Sequence, residues 1–268
     1  MTRHAKLTAK TADKHVLYQQ SVQSPEAECD FFARIFKKHF GVPPTHFRED
    51  FCGTYMISCE WVRRGKSNHA YGVDLHQPTL DWGRQQNLAA LLAPARERVH
   101  IIRDDVRCVT EPKVDVVGAF NFSYFIFKER PELLDYFKAV RKSLRPKGLF
   151  VLDAYGGYEA QQPMEEETKH KGFTYVWDQA DYNPINDHTR CHIHFKFPDG
   201  SRLNRAFTYD WRLWTLGGIQ DTLQDAGFST TEVYWEGSDS DGDGNGIYRK
   251  SKKAENTPGW NAYIIGLP

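Results

Sequence analysis

The stretch HFREDFCGTYMISCEWVRRGKSNHAYGVDL, residues 46–75, decides the fold. THFREDF reads as a short polar strand, TYMISCEWVRRG as a helix stopping near Gly65, and HAYGVDL as a second strand. A strand, a turn holding Gly53, a helix and another strand make one βαβ unit, which implies a parallel sheet. The alternation continues outward in both directions. Downstream, Pro78 opens a helix running to about Leu92, RVHII is a strand, and VDVVGAF is the near-continuous apolar run of a buried parallel strand. PELLDYFKAVRKSL sets Leu133, Leu134, Phe137, Val140 and Leu144 on one side of a helix; RPKG turns, and LFVLDAYGG is a further buried strand. Upstream, SPEAECDFFARIFKKHFG starts with Ser24 as cap and Pro25 at the first helical position, stops at Gly41, and puts Phe32, Ile35, Phe36 and Phe40 on one face. Residues 1–15 are polar and expected to be loose.

After Gly157 the rhythm changes. FTYVWDQADYNP and TRCHIHFKFPDGSRLNRAFTYDW read as antiparallel strands, with Asp199-Gly200 as a hairpin turn. Thr215 then caps a helix carrying Leu216, Ile219 and Leu223 on one face and ending at Gly227. FSTTEVYWEG and WNAYIIG close the chain as strands, with a Gly/Asp-rich loop at 237–246 between them whose role stays open. The expectation is an α/β fold with a doubly wound, mostly parallel, seven-stranded sheet. One domain spans 1–268, with an antiparallel insertion at about 158–210 after the fifth strand, capping the active site.

Lys plus Arg and Asp plus Glu are 35 each in 268 residues, a balance that counts against nucleic acid as the partner. Five cysteines with no CxxC spacing suit no simple disulfide framework. No apolar leader and no apolar run long enough to span a bilayer is present, so a reducing cytoplasm and no membrane partner are expected. Homodimerisation stays open.

Ligands of doubly wound sheets bind beyond the carboxyl ends of the strands, where the strand order reverses. Here those ends are Arg48-Glu49-Asp50-Phe51-Cys52-Gly53-Thr54-Tyr55, Gly72-Val73-Asp74-Leu75, Asp104-Asp105-Val106 and Asn121-Phe122-Ser123-Tyr124. A glycine turn lets backbone approach a ligand. An acid after the second strand can accept both ribose hydroxyls. An acid after the third can accept an adenine amino hydrogen, with an aromatic stacked beside it.

At these residues the chain resembles the class I S-adenosylmethionine-dependent methyltransferases, which share a Rossmann-like sheet. Their first loop has the form acid-x-Gly-x-Gly-x-Gly; here Gly53 keeps the middle glycine, while Phe51 and Tyr55 stand at the outer two. Asp74 matches their ribose-binding acid, and Asp105-Val106 their adenine-contacting pair, with Asp104 the other register. Leu144-Arg145-Pro146-Lys147-Gly148-Leu149 is similar to their lead into the fifth strand, and Ala226-Gly227-Phe228 to their late turn. EDFCGT, NFSYFIFK and LDAYGG together resemble one uncharacterised branch of these enzymes.

The resemblance implies S-adenosylmethionine as cofactor and methyl transfer to a nitrogen or oxygen of a small molecule. It implies cofactor contacts from Tyr18, Arg48, Glu49, Phe51, Cys52, Gly53, Thr54, Asp74, Leu75, Asp104, Asp105, Val106, Asn121 and Phe122. Each has a plainer reading beside it. Asp74 can cap the next helix, Glu49 can be a buried structural acid, Cys52 an inert small residue, and Arg48 and Tyr18 surface residues rather than partners of the cofactor carboxylate. Some amino-methylating enzymes carry Asn-Pro-Pro-aromatic where this chain has Asn121-Phe122-Ser123-Tyr124, with both prolines replaced. Acceptor contacts are expected from Tyr124, Tyr155, Tyr175, Trp177, His192 and His194, with Tyr209 and Trp211 nearby. No residue is assigned as the general base. No metal is expected: Cys191 points opposite to His192 and His194 on a strand, and Asp239-Ser240-Asp241-Gly242-Asp243-Gly244 mimics a calcium loop but has Lys250 where a glutamate is needed. Two other functions remain, a non-catalytic cofactor-binding protein and a nicotinamide-dependent oxidoreductase; Phe51 and Tyr55 crowd the backbone that a pyrophosphate must touch and count against the second.

Overall fold

Five strands lie side by side and parallel in the computed structural model, which describes residues 7–240, 242 and 244–268. They are β1 (His46–Asp50), β2 (His69–Val73), β3 (Val99–Ile102), β4 (Val114–Ala119) and β5 (Leu144–Gly156). Every residue of β4 is buried; Asp115 alone breaks its apolar run, and it accepts from the Thr45 and His46 amides and from Arg145. The full sheet has eight strands in the order β11-β10-β12-β5-β4-β1-β2-β3, with β10 (Thr230–Ser238), β11 (Gly244–Ser251) and β12 (Trp260–Leu267) antiparallel. The order reverses between β1 and β4, which opens a crevice at their carboxyl ends. The eighth strand is β11: its two glycines and the Gly/Asp-rich stretch before it suggest a loop, yet Tyr248 and Lys250 pair with Glu236 and Tyr234. Asp241 and Asp243 of the calcium-like stretch, and residues 1–6, lie outside the described residues.

Helices cover both faces. On one face α2 (Pro25–Phe40) buries Phe31, Phe32, Ile35 and Phe36 and stops at Gly41, whose φ of 75° suits glycine; Ser24 stands at its cap position without a side-chain bond. Beside it lie α3 (Met56–Arg63), α4 (Gln77–Gly83, continued as a π-helical turn to Leu88) and the short α5 (Ala93–Arg96). On the other face α6 (Arg130–Ser143) inserts Leu133, Tyr136, Phe137 and Val140, opened by a capping box between Glu129 and Glu132. α7 (Leu216–Asp225) follows the Thr215 cap, whose side chain accepts from the Gly218 amide. The RPKG turn is absorbed into β5 as an irregularity, the β4 register jumping from Leu144 to Leu149.

A second sheet lies outside this frame. β6 (Met164–His170), β7 (Phe173–Asn183), β8 (His188–Lys196) and β9 (Arg202–Arg212) form an antiparallel meander. Its inner face carries Tyr175 and Trp177 of β7, Ile193 and Phe195 of β8, and Phe207, Tyr209 and Trp211 of β9. One further helix was not expected. α1 (Lys14–Ser21) is capped by Asp13, and its Leu17 packs among Phe173, Ile193, Phe195 and Phe197. It has no apolar stripe of its own and is held by that sheet. Among the described residues no helix is long and apolar enough to cross a membrane.

Candidate active site

The crevice at the reversal of strand order is a cleft of about 340 Å³, the size of a small-molecule site. Its floor is the loop after β1, through Phe51, Cys52, Gly53 and Thr54. Asp74, His76 and Thr79 enter after β2, and Asn121, Ser123 and Ile126 after β4. His15, Tyr18 and Gln23 come from the N-terminal segment, and Phe207, Tyr209 and Trp211 face them from β9. A larger groove of about 500 Å³ along β10 and β11 borders Thr230, which pairs with Leu267 far from the carboxyl ends of the parallel strands.

The floor loop is strained by design of its sequence. Phe51, Gly53 and Tyr55 have φ of 55°, 53° and 48°, so alternate residues are left-handed. For a residue other than glycine this costs about 1–2 kcal/mol. Packing offsets it: Tyr55 is fully buried and its hydroxyl donates to the Leu80 carbonyl at 3.1 Å, while the Cys52 amide donates to the Val73 carbonyl at 3.0 Å. The next helix sits close, since a Cβ on Gly83 would stand 2.7 Å from both the Thr54 carbonyl oxygen and the Tyr55 ring. The conformation expected of three glycines is thus kept with one.

Asp74 does two jobs. One oxygen accepts the Gly53 amide and the other the His76 amide, both at 2.8 Å, so it ties the floor loop to the start of α4. Leu75 beside it is 61% exposed and does not line the cleft. The Thr54 hydroxyl accepts from Gln19 of α1 at 2.8 Å, fastening α1 over the loop.

Several expected contacts fall elsewhere. Arg48 does not reach the cleft: it is fully buried, donates to the Val109 carbonyl at 2.6 Å and pairs with Asp50 at 2.8 Å, and Asp50 also accepts from the Tyr136 hydroxyl at 2.9 Å. Strand alternation puts Arg48 and Asp50 on the α6 face of β1. Glu49, on the opposite face, accepts both the amide and the hydroxyl of Ser58 in the first turn of α3, and burial pushes its carboxyl up to about 8. It is the buried structural acid of the plainer reading. After β3, Asp104 is exposed and accepts the Asp105 amide, whereas Asp105 is held by the Arg107 guanidinium at 2.7 Å, which keeps its carboxyl below the usual range; Val106 is buried in the core. None of these three lines the cleft.

Asn121 and Phe122 are both left-handed, with φ of 57° each, and their amides converge on Asp153 of β5 at 2.7 and 2.8 Å. Tyr124 is not an acceptor contact. It is fully buried, and its hydroxyl donates to the Asp153 carbonyl at 2.7 Å. Tyr155 packs on Phe122 with ring centres 4.7 Å apart, and Trp177 lies beside Tyr209 and Trp211. Trp211 is 2% exposed, and its indole N–H meets no acceptor. Tyr175, on the same inner face, sits with Phe195 behind the cleft lining.

His192 and His194 point the other way, on the outer face of the small sheet. His192 pairs with the Thr208 hydroxyl at 2.9 Å. His194 lies with Asp178 and Glu165, whose ligand atoms all fall within 4.8 Å. This is an ion-pair cluster. The Arg205 amide donates to His194 Nδ1 at 3.0 Å, so the ring proton sits on Nε2 and donates to Asp178, and Glu165 accepts from Arg202 at 3.1 Å.

Comparison with known proteins bears on the fold. No family model matches the chain. A putative methyltransferase of Bacillus subtilis (strain 168), YqeM, is 20% identical over 200 residues, covering 71% of this chain and 76% of that protein. The crystal structure of a S-adenosylmethionine-dependent methyltransferase from Clostridium acetobutylicum ATCC 824 superposes with a TM-score of 0.68 at 17% identity, covering 94% of this chain and 96% of the other. The chain has the class I methyltransferase fold. CalS10, an amino pentose methyltransferase from Micromonospora echinaspora solved with S-adenosylmethionine bound, matches with a TM-score of 0.65 at 15% identity over 95% of this chain and 96% of its own.

In this methyltransferase fold the cleft includes residues that the sequence did not single out. His15 lies in the first turn of α1 and Gln23 just after it, and the helix's weak pattern hid both; His76 and Thr79 open α4, where Pro78 was the available signal; Phe207 was one aromatic among many. Asp153 stands in the quoted LDAYGG run, but its grip on the loop after β4 depends on the pairing of β4 with β5.

Proposed function

We propose that this chain is an S-adenosylmethionine-dependent methyltransferase that methylates a nitrogen or oxygen of a small molecule. The observation that carries the reading is the tie from Asp74 to the Gly53 amide inside a cleft at the reversal of strand order. The carboxylate has about four acceptor sites. Two take backbone amides, which leaves acceptors for a ribose diol. The fold match and the names of the similar proteins support the same reading.

Tyr18, Phe51, Cys52, Gly53, Thr54, Asp74 and Asn121 would hold the cofactor. When bound, the cofactor supplies a methyl group already activated on a sulfonium, so the protein's part is alignment and exclusion of water. The whole chain, 1–268, then works as one domain, with the sheet of about 158–210 as its cap: Phe207, Tyr209 and Trp211 close the side of the cleft opposite the floor loop. The partner is a small molecule, and cytoplasmic residence fits the thiol-bearing chain.

Calorimetric titration with S-adenosylmethionine and with its demethylated product tests this. Wild type should bind both, and Asp74→Ala should bind on the order of 100-fold more weakly, the loss of a charged acceptor pair. Folded wild type that binds neither ligand would sink the reading.

A further inference from the structure

We infer that Glu28, together with Gln23 and Asp153, recognises the methyl acceptor, and that this acceptor is a basic amine held as its ammonium ion and deprotonated by Glu28. The inference rests on the methyltransferase reading above and adds the substrate class.

The geometry begins on α2. Phe31 stacks on Tyr263 with ring centres 4.2 Å apart, and Tyr263 is the cross-strand partner of Asp153. Glu28 lies one turn before Phe31 on the same face of the helix. Asp153 shares its side of β5 with Leu149 and Val151, the side that α2 covers. Both carboxyl groups therefore sit over the carboxyl ends of β4 and β5. The amides of Asn121 and Phe122 fix Asp153 there, and Asn121 and Gln23 line the cleft.

Two observations ask for a donor-rich ligand. Glu28 is only 6% exposed, and its Oε2 has no hydrogen-bond partner; the buried Oε1 of Gln23 has none either. A buried polar atom left unbonded costs about 1–3 kcal/mol, so one on a cleft-lining residue and another five residues along the chain call for an explanation. Charge is the second observation. The groups that raise the Glu28 carboxyl are Asp153, Glu49 and Glu26, all acids, and the bonds that hold Asp153 come from the Asn121 and Phe122 backbone amides. Burial and these neighbours push the Glu28 carboxyl well up, and burial raises Asp153 to about 7. The hydroxyls of Tyr18, Tyr248 and Tyr263 feel both acids.

An ammonium group carries three donors, no acceptor and one positive charge, which matches the unpartnered oxygens of Glu28 and Gln23 and a negative field. A hydroxyl offers one donor and no charge. Binding ionises Glu28. Then one N–H bond breaks, its electron pair stays on nitrogen as the lone pair, and the proton forms an O–H bond with Glu28, so the two charges cancel. The amine is left with the lone pair that methylation needs.

The test uses benzylamine and benzyl alcohol as probes, titrated calorimetrically into full-length protein saturated with the demethylated cofactor. Wild type should bind the amine at least about tenfold more tightly than the alcohol, the margin of a charge-assisted hydrogen bond. Glu28→Gln should lose that preference while its affinity for the demethylated cofactor stays within about twofold. No preference in wild type, or a preference that survives in Glu28→Gln, overturns the inference. If that variant does not fold, wild type titrated in two buffers of different ionisation enthalpy serves instead: amine binding should release a proton, and none released overturns the inference. A wild type that fails to bind the cofactor product counts against the methyltransferase reading, and the amine comparison is then run without it, so the two ideas fail separately.

Discussion

The parallel half of the main sheet and the antiparallel sheet of residues 164–212 supply opposite walls of one cleft, and they differ in how order along the chain becomes position in space. In the parallel half every strand ends at the same edge. The last residues of β1, β2 and β4 therefore meet, and Gly53, Asp74 and Asn121 come together although far apart in sequence. In the antiparallel sheet, direction alternates by strand and side by residue. Tyr209 and Trp211 face the cleft while His192 and His194, one strand away, face out. Topology delivers the site in the first case, and a parity that composition does not encode delivers it in the second.

Four variants bear on this contrast. The largest effect should come from the small sheet: Trp211→Ala removes a side chain 2% exposed and packed on Tyr209, and should cost about 3–5 kcal/mol in denaturant unfolding. A cost below about 1 kcal/mol would mean that the small sheet is only loosely joined, and the two walls would not be comparable. Next is Glu49, which titrates in the parallel half. Its folded carboxyl is raised from 4.5 to about 8, so between these values the unfolded chain releases a proton that the folded chain keeps, and stability falls as pH rises. Glu49→Gln removes this titration. It should match wild type near pH 5 and exceed it by about 1–3 kcal/mol above pH 8, read from unfolding curves across that range. Equal pH slopes in the two proteins would contradict the buried placement of Glu49. Gly53→Ala should cost about 1–2 kcal/mol of stability, since its φ of 53° is strained for any side chain, and should weaken cofactor binding measured by titration. The smallest effect belongs to His192→Ala, which should leave cofactor affinity within about twofold because its ring lies on the far face of the small sheet. A larger loss would erase the distinction between inner and outer faces.

Much of the fold was legible because parallel strands write themselves as apolar runs with helices between. Val114–Ala119 and the α2 stripe needed nothing more. The parts that were not legible share a cause. α1 and β11 have little local signal and are held by partners distant in sequence, the small sheet for one and β10 for the other. Arg48 is adjacent to the floor loop, yet alternation along β1 turns it toward Tyr136 and away from the cleft. Asp153 becomes important only once β4 lies against β5.

The floor loop has a consequence for how this chain can change over time. Replacing Tyr55 by glycine would relax its dihedral by about 1–2 kcal/mol, but emptying so large a buried side chain costs about 3–5 kcal/mol. Gly83 cannot grow to refill the gap, because its Cβ would meet the Thr54 carbonyl oxygen at 2.7 Å. Tyr55 and Gly83 are therefore locked together: a single change at either is penalised, and descendants of this chain should keep the tyrosine and the glycine as a pair.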